Sequence, residues 1–148
     1  MPILYSCHPR SRKRLESSGV QLDSRVILHE PFGFHDYNCL QMNAFTVVSD
    51  SGTLPEEASF FTSVGHPFPA VCIRTSTERP EALDKGIFVL AGIDGESLIQ
   101  AVEIAVTMNR AGDYGMSVPA YIEEKVSAKV VKIIQSYTGI VNKMVWRK

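Results

Sequence analysis

Residues 46–57 read TVVSDSGTLPEE: an apolar run, then a polar turn that contains glycine, then the start of a helical segment. Apolar runs of similar length recur along the chain and alternate with segments of helical period. Such alternation is typical of parallel strands joined by crossover helices. The sequence therefore predicts an α/β fold, in which helices cover both faces of a parallel sheet in three layers. The predicted strands are residues 3–7, 26–29, 46–49, 70–73 and 87–90.

Helices are expected between and after these strands. Pro55 suits the first turn of one helix, and Gly65 suits the position past its end. Asp36 is a predicted N-cap, and Gly19 is expected to close a basic helix. The predicted helices are residues 11–18, 37–44, 55–64, 96–108 and 127–137. The last two place apolar side chains on one face, so each is expected to pack against the sheet or a neighbouring domain.

The composition is that of an ordinary globular protein. With 148 residues, 45% of them hydrophobic, the chain is long enough for one domain with a sizeable core. Its net charge of -1 argues against nucleic-acid binding, because proteins that bind phosphate backbones usually carry a basic excess. The three cysteines have no CxxC spacing, which favours free thiols in a reducing cytosol and no metal site. Without a long apolar run or a signal-peptide pattern, the sequence predicts a cytoplasmic protein with no membrane insertion.

The turn after the third predicted strand is a candidate anion site. Ser51 and Thr53 supply hydroxyls, and Gly52 lets the backbone approach a ligand closely. In an open α/β sheet, ligands bind outside the carboxyl ends of the strands, where this turn must lie. The alternative is that Ser51 and Thr53 merely cap the helix, while Glu56 and Glu57 favour its positive end.

A second candidate segment, residues 77–81, reads TERPE and follows the fourth predicted strand. Arg74 and Arg79 could neutralise a diphosphate, since a guanidinium matches phosphate oxygens. Alternatively, Glu78 and Arg79 pair with each other or with neighbouring loops. Both segments are expected at the same edge of the sheet.

Residues 30–37 read EPFGFHDY and form an aromatic-rich loop between a strand and a helix. Their rings could stack on a base or, as an alternative, form part of the core. His8, at the end of the first predicted strand, could point into the ligand crevice at the carboxyl ends of the strands. Alternatively, it serves as a packing or capping residue. HExxH, GxSxG and GxxxxGK[ST] do not occur, which argues against a zinc protease, a serine hydrolase of that class and a P-loop NTPase.

Together these segments resemble the non-hydrolysing UDP-N-acetylglucosamine 2-epimerase family. The C-terminal domain of that family carries Asp-Ser-Gly-Gly-x-x-Glu-Glu and then Thr-Glu-Arg-Pro-Glu, in this order and at this spacing. The resemblance runs from about residue 7 through residue 94 and on towards the C terminus. It implies the C-terminal part of a GT-B-like enzyme of two Rossmann-like domains, with UDP held mainly by this part and no cofactor.

The stretches CHPR at residues 7–10 and GFHDYN at residues 33–38 resemble one branch of the family in particular. Its members act in capsular-polysaccharide and O-antigen synthesis and convert UDP-2-acetamido-2,6-dideoxy-L-talose to UDP-N-acetyl-L-fucosamine. The resemblance therefore implies an isomerase of surface-polysaccharide precursors, and the family usually forms homodimers.

By position, the resemblance implies that Ser51 and Gly52 cradle the diphosphate and that Glu57 takes the ribose hydroxyls. Tyr37 falls where the family places an aromatic ring against uracil, and Phe32 falls near the base through its backbone.

Two arginines and one departure complete the comparison with the family. Arg79 matches the arginine of the later motif, and Arg74 matches a second arginine near the nucleotide. Thr53 replaces the second glycine of the usual pair, so its hydroxyl is expected to act as a donor in place of a closely approaching backbone.

The family mechanism eliminates UDP to give a 2-acetamidoglycal, and UDP adds back after protonation of the other face of C2. The family draws the required carboxylates from its N-terminal domain, which this chain lacks, so no catalytic residue is expected here. Glu56 and Glu57 are binding candidates. The first strand of the domain and its histidine motif are also expected to be missing. The chain is therefore expected to be a partial domain, inactive alone, with open strand edges that favour self-association.

Three functions from different classes remain open. The first is the UDP-binding part of an epimerase, of the L-fucosamine branch or of the UDP-GlcNAc/UDP-ManNAc type. The second is a nucleotide-sugar-binding module without catalysis. The third is a GT-B glycosyltransferase. The TERPE segment argues against this third function.

Overall fold

The computed structural model describes residues 1–148, which form two compact units, Met1–Ala44 and Phe45–Lys148. Each unit contains parallel strands joined by helices, so the predicted α/β class is confirmed. Nothing in the composition or the loops indicated this division. Each unit has its own sheet.

The first unit is a pair of parallel strands with two helices. Strand β1 (Ile3–Ser6) pairs with β2 (Val26–His29), and the pairing runs from Ile3 opposite Val26 to Ser6 opposite His29. Helix α1 (Pro9–Ser18) connects the strands, and α2 (Phe34–Asn43) follows β2. Every side chain of β1 is exposed, although its apolar residues predicted a strand covered on both faces. Two strands and two helices are too few to cover both faces.

Both helices of this unit begin at positions that differ from the prediction. Helix α1 starts directly after His8, which caps it, and ends as expected at Gly19, whose φ is 68°. Asp36 was predicted as the N-cap of α2, but Gly33 holds that position and Asp36 lies in the first turn. The N–H of Tyr37 donates to the carbonyl of Gly33 at 2.9 Å, which starts the helix early. A carboxylate in the first turn still favours the positive end of the helix.

The second unit contains a three-stranded parallel sheet in the order β3-β4-β5. Its strands are β3 (Val47–Ser49), β4 (Ala70–Cys72) and β5 (Val89–Leu90), each slightly shorter than predicted. Its helices are α3 (Leu54–Ser63), α4 (Pro80–Asp84), α5 (Gly95–Arg110) and α6 (Val126–Met144). A 3₁₀ turn at Pro119–Tyr121 lies between α5 and α6. Neither α4 nor this turn was predicted.

The core of the second unit lies on both faces of β4, because successive side chains of a strand point to opposite faces. Ala70 and Cys72 belong to a cluster on one face, together with residues of α3 and its surroundings: Leu54, Ala58, Phe61 and Phe68. Val71 belongs to a cluster on the other face, together with residues of α5, of β5 and of the position directly after β5: Ala101, Ala105, Val89 and Ala91. The unit therefore has the predicted three layers of helix, sheet and helix.

Helix α6 buries none of its residues. Its apolar side chains are exposed, with Ile133 at 58% and Tyr137 also at 58%. This segment was expected to pack on the sheet or on a neighbouring domain, and it does not pack on the sheet, whose two faces are occupied by α3 and α5. Packing on another domain stays a prediction. None of the helices combines the length and the hydrophobicity that a membrane crossing requires.

Strands β1 and β3 each pair with one neighbour, so each keeps one edge without a partner strand. Unpaired N–H and C=O groups at such an edge can template association with another strand. The expectations that the chain is a partial domain and that it self-associates stay predictions.

A glycine lets the loop before the 3₁₀ turn approach the end of α4. Gly115 has φ of 72°, and a Cβ at this position would lie 2.5 Å from the carbonyl oxygen of Lys85. The N–H of Met116 donates to that same oxygen at 2.8 Å. Further along, the N–H of Val118 donates to the hydroxyl of Ser59 at 2.8 Å inside the core. Backbone N–H groups of the loop therefore hold it against α3 and the end of α4.

Gly115→Ala should destabilise the chain more than the matched change Gly112→Ala. Both glycines have positive φ, but a Cβ on Gly112 would meet nothing within 4 Å. The left-handed backbone alone costs about 1–2 kcal/mol, and forced overlap adds about 1–3 kcal/mol. Urea unfolding followed by circular dichroism measures the difference. Equal losses in the two variants would show that the close approach at Gly115 does not matter.

Candidate functional site

The parallel register of β3 and β4 brings the two candidate segments to one edge of the sheet. Ser49 lies opposite Cys72, and the N–H of Ile73 donates to the carbonyl of Ser49 at 3.0 Å. Both strands end there, so the turn at residues 50–53 and the loop at residues 73–79 leave the sheet side by side. This is the edge where ligands bind in open α/β sheets.

Serine and threonine hydroxyls shape the turn itself. The N–H of Ser51 donates to the hydroxyl of Ser49 at 3.0 Å, and the N–H of Thr53 donates to the hydroxyl of Ser51 at 3.2 Å. Thr53 occupies the N-cap position of α3, but its side chain makes no capping hydrogen bond. The capping role considered for the Thr53 side chain is therefore wrong. The Ser51 hydroxyl instead accepts a hydrogen bond within the turn.

The hydroxyl of Thr53 contacts a carboxylate one helical turn away. Its Oγ1 donates to Oε1 of Glu57 at 2.9 Å, and it lies 2.9 Å from Oγ of Ser51. Three predicted site residues are therefore joined by side-chain hydrogen bonds. The Thr53 hydroxyl therefore donates its proton to the Glu57 carboxylate.

Arg74 lies against the turn and forms a two-point ion pair with Glu78. Its Nη1 and Nη2 donate to the two carboxylate oxygens of Glu78, both at 2.7 Å. These hydrogen bonds hold the pKa of Glu78 below its usual range. A Cβ on Gly52 would lie 3.2 Å from Arg74 Nη1 and 3.2 Å from Glu78 Oε2. The glycine is thus what allows the ion pair to sit this close to the turn.

Arg79 ties the loop after β4 to the start of α3. Its Nε and Nη2 donate to Oε1 of Glu56 at 2.6 and 2.5 Å, and its Nη1 donates to the carbonyl of Glu78 at 3.0 Å. The alternatives considered for this arginine were a pair with Glu78 or with a neighbouring loop, and the carboxylate that it pairs with, Glu56, lies instead in the first turn of α3. The Glu56 hydrogen bonds raise the pKa of Arg79.

Tyr121 is a neighbour of the site that the sequence did not indicate. Its hydroxyl donates to Oε1 of Glu81, the last residue of the TERPE segment. Burial, and after it this hydrogen bond, raise the pKa of Tyr121 to about 12, and the same bond lowers the pKa of Glu81. Forty residues separate the two side chains, so no local pattern could have paired them.

The three other predicted residues belong to the first unit. His8 accepts the N–H of Arg10 at Nδ1, at 3.2 Å, so its capping role is observed. The ring of Phe32 stacks on His29 with centroids 4.1 Å apart. Tyr37 is half-buried in the first turn of α2. The nine predicted residues therefore fall into two sets, six in the second unit and three in the first.

Other features of the chain do not build a competing site. A cleft of about 190 Å³ is lined by Ile73, Ile93, Asp94, Gly95 and Leu98, and its surface is mainly apolar. It is smaller than most small-molecule pockets. No group of three or more His, Cys, Asp or Glu side chains is placed to hold a metal ion. Two of the three cysteines are buried and all are free thiols.

The raised pKa of Tyr121 predicts a pH dependence in the alkaline range. Its neutral form is favoured, so its contribution to stability is complete below the unfolded value of about 10 and is lost as pH rises through about 12. The difference in phenolate absorbance between the wild type and Tyr121→Phe should have its midpoint near 12. Glu81→Gln should lower that midpoint. A midpoint near 10 in the wild type would contradict the burial of this phenol.

Comparison with protein families gives one match. Residues 1–135 match the family model described as UDP-N-acetylglucosamine 2-epimerase. Among curated proteins, UDP-N-acetylglucosamine 2-epimerase of Methanocaldococcus jannaschii is 34% identical over 112 residues, which are 73% of this chain and 29% of that protein. The protein of the same name from Methanococcus maripaludis is 36% identical over 112 residues, with the same two shares. The chain thus spans less than a third of the length of these relatives.

Solved structures show the same likeness. UDP-N-acetylglucosamine 2-epimerase from Rickettsia bellii superposes with a TM-score of 0.84 and 38% identity, over 100% of this chain and 40% of that one. The M. jannaschii enzyme in complex with UDP-GlcNAc and UDP superposes with a TM-score of 0.74 and 29% identity, over 91% of this chain and 36% of that one. The family model and the fold agree, and this chain belongs to the UDP-N-acetylglucosamine 2-epimerase family.

Proposed function

We propose that this chain is the UDP-binding part of an epimerase that acts at C2 of a UDP-2-acetamido sugar. The observation that carries the proposal is the convergence of the turn at residues 51–53 with Arg74 at the carboxyl edge of the sheet. The first amide groups of an α-helix have no partner within the helix and favour an anion. The turn that leads into α3 lies beside a guanidinium group, because a Cβ on Gly52 would lie 3.2 Å from Arg74 Nη1. A diphosphate is the anion that such an arrangement suits.

Arg74 can serve the ligand while it remains paired. A guanidinium group has five N–H donors in a fixed plane, and Glu78 accepts two of them. The remaining donors, with the open backbone at Gly52, are proposed to contact the phosphate oxygens. Arg79 donates to Glu56 and to a backbone carbonyl, so we assign to it the support of the turn more than direct contact with the ligand.

The rest of the nucleotide is assigned by position in the family. Glu57 is proposed to accept the ribose hydroxyls, because a carboxylate offers acceptors for a diol. Tyr37 and Phe32 are proposed to contact uracil, and His8 is proposed to lie near the nucleotide. The solved complex of the M. jannaschii enzyme with UDP-GlcNAc and UDP supports UDP as the ligand class.

We assign no acid or base at C2 to this chain. Glu56 is held by Arg79, and Glu57 accepts a hydrogen bond from Thr53, so both carboxylates have binding or structural partners. Elimination of UDP and its re-addition need groups that exchange a proton at C2. We propose that such groups come from outside these residues, and that the chain alone does not turn over a UDP-sugar.

The sugar is proposed to be that of the L-fucosamine branch, UDP-2-acetamido-2,6-dideoxy-L-talose, in the synthesis of a surface polysaccharide in the cytoplasm. The sequences CHPR at residues 7–10 and GFHDYN at residues 33–38 support this assignment. A relative from Pseudomonas aeruginosa named UDP-2,3-diacetamido-2,3-dideoxy-D-glucuronate 2-epimerase, 30% identical, shows that sugars differ among relatives. UDP-GlcNAc is the alternative sugar. A homodimer is proposed for the whole protein, as is usual in the family.

Titration calorimetry of the chain with UDP tests the nucleotide site. UDP should bind, and Arg74→Ala should weaken binding about tenfold or more, since it removes charged hydrogen bonds to the diphosphate. Arg25→Ala is the matched control, because Arg25 is also ion-paired and exposed but lies in the first unit, opposite Asp23. It should change the affinity less than twofold. The double variant Ser51→Ala, Glu57→Ala should abolish the heat.

Two results would contradict this assignment. The first is the absence of UDP binding by a folded wild-type chain. The second is an equal loss of UDP affinity in Arg74→Ala and Arg25→Ala. A competition titration addresses the sugar: UDP-2-acetamido-2,6-dideoxy-L-talose should displace UDP at least as well as UDP-GlcNAc does. A clear preference for UDP-GlcNAc would favour the alternative sugar.

Proton exchange at C2 tests the absence of catalysis. In deuterium oxide, an epimerase that opens the C2–H bond exchanges that hydrogen for deuterium. We expect no loss of the C2 proton signal when the chain is incubated with either UDP-sugar and followed by NMR. A chain that binds UDP but shows no exchange would fit the proposal. Exchange above a no-protein control would place a catalytic group within these residues.

A further inference from the structure

The hydroxyl of Thr53 makes two side-chain hydrogen bonds, to Ser51 and to Glu57. We propose that Thr53 is a positioning residue that orients the Glu57 carboxylate towards the ribose diol, and so sets the preference of the site for a ribonucleotide over a deoxyribonucleotide. This inference rests on the proposed UDP site. It adds the residue that determines the selectivity for ribose over deoxyribose.

The direction of the hydrogen bonds follows from the chemistry of the three groups. An ionised carboxylate can only accept, so the single proton of Thr53 points to Oε1 of Glu57. The proton of Ser51 must then point to Oγ1 of Thr53, and Oγ of Ser51 accepts the N–H of Thr53. The result is one directed chain from Ser51 through Thr53 to Glu57. Each member fixes the rotamer of the next.

Thr53 is placed to hold Glu57 by both its backbone and its side chain. Its carbonyl accepts the N–H of Glu57 at 3.0 Å, while its hydroxyl reaches the carboxylate four residues on. Because the side chain makes no capping bond, the hydroxyl is committed to Glu57 and Ser51 and not to the helix start. The first turn of α3 and the carboxylate that it carries are therefore fixed by the same residue.

The backbone at this position does not require a special residue. Thr53 has φ of -90° and ψ of -14°, which any residue adopts without strain. A side chain here is thus tolerated by the turn, and what it contributes is the hydroxyl. Fixing Oε1 orients the plane of the carboxylate, and an oriented acceptor binds the 2′- and 3′-hydroxyls at lower entropic cost than one that rotates freely.

The test compares UDP with 2′-deoxy-UDP on three chains: the wild type, Thr53→Val and Thr53→Ser. Valine keeps the shape of the side chain and removes the hydroxyl, whereas serine keeps the hydroxyl. The wild type should bind UDP about tenfold more tightly than 2′-deoxy-UDP, as expected for one hydrogen bond to a charged group. Thr53→Val should bring the two affinities within about twofold by weakening UDP alone. Thr53→Ser should keep the preference.

Several outcomes would overturn the inference. Equal weakening of both nucleotides in Thr53→Val would show a role in the turn only, and an unchanged preference would show no role. If the wild type binds both nucleotides equally, the proposed preference for ribose is ruled out, whereas the proposed UDP site is not. A wild type that binds neither would remove the UDP site itself. Thr53→Gly also lacks the hydroxyl; should Thr53→Val fail to fold, this variant should show the same loss of preference.

Discussion

The parallel pairing of β3 with β4 is the constraint on which the rest of the site depends. Because Ser49 lies opposite Cys72, the chain leaves both strands at the same level of the sheet. Two loops that are more than twenty residues apart in sequence therefore begin side by side. Every contact between them, including Arg74 against Gly52 and Arg79 with Glu56, follows from this register. A slip by one residue would reverse the faces of β3 and separate those partners.

Burial, more than ion pairing, holds this edge in place. Leu54 and Pro55, directly after the turn, are fully buried, and so is Val71 in the middle of β4. Exposed or half-exposed ion pairs contribute little to stability, because water already solvates their charges. The pairs of Arg74 and Arg79 are of that kind. Their role is to orient the Arg74 and Arg79 side chains, while the apolar core fixes the backbone that carries them.

The charges around the turn put a limit on how an anion can be bound. Two guanidinium groups lie among five carboxylates at this edge, those of Asp50, Glu56, Glu57, Glu78 and Glu81. The net charge around the turn is therefore negative and does not attract an anion, so binding depends on donors that point in fixed directions. Backbone N–H groups at the start of α3 and the guanidinium plane of Arg74 are such donors. An arrangement of this type favours selectivity over raw affinity.

The sequence by itself determined the class of the fold, most of the strands and helices, and the composition of the turn, because these depend on periodicity and on glycine and proline at element ends. It also placed six of the candidate residues at one sheet edge, since strand ends are local features. It failed for Asp36, where one earlier hydrogen bond moved the helix start. For α6 it left two partners open, and the structure excludes the sheet because α3 and α5 cover both of its faces. Only the tertiary structure decided that Arg79 pairs with Glu56 and that Tyr121 reaches Glu81, because the packing of distant segments brings these partners together and local patterns carry no information about it. The pairs Arg74 with Glu78 and Thr53 with Glu57 are each only four residues apart, and there the structure decided which of several nearby polar groups pair.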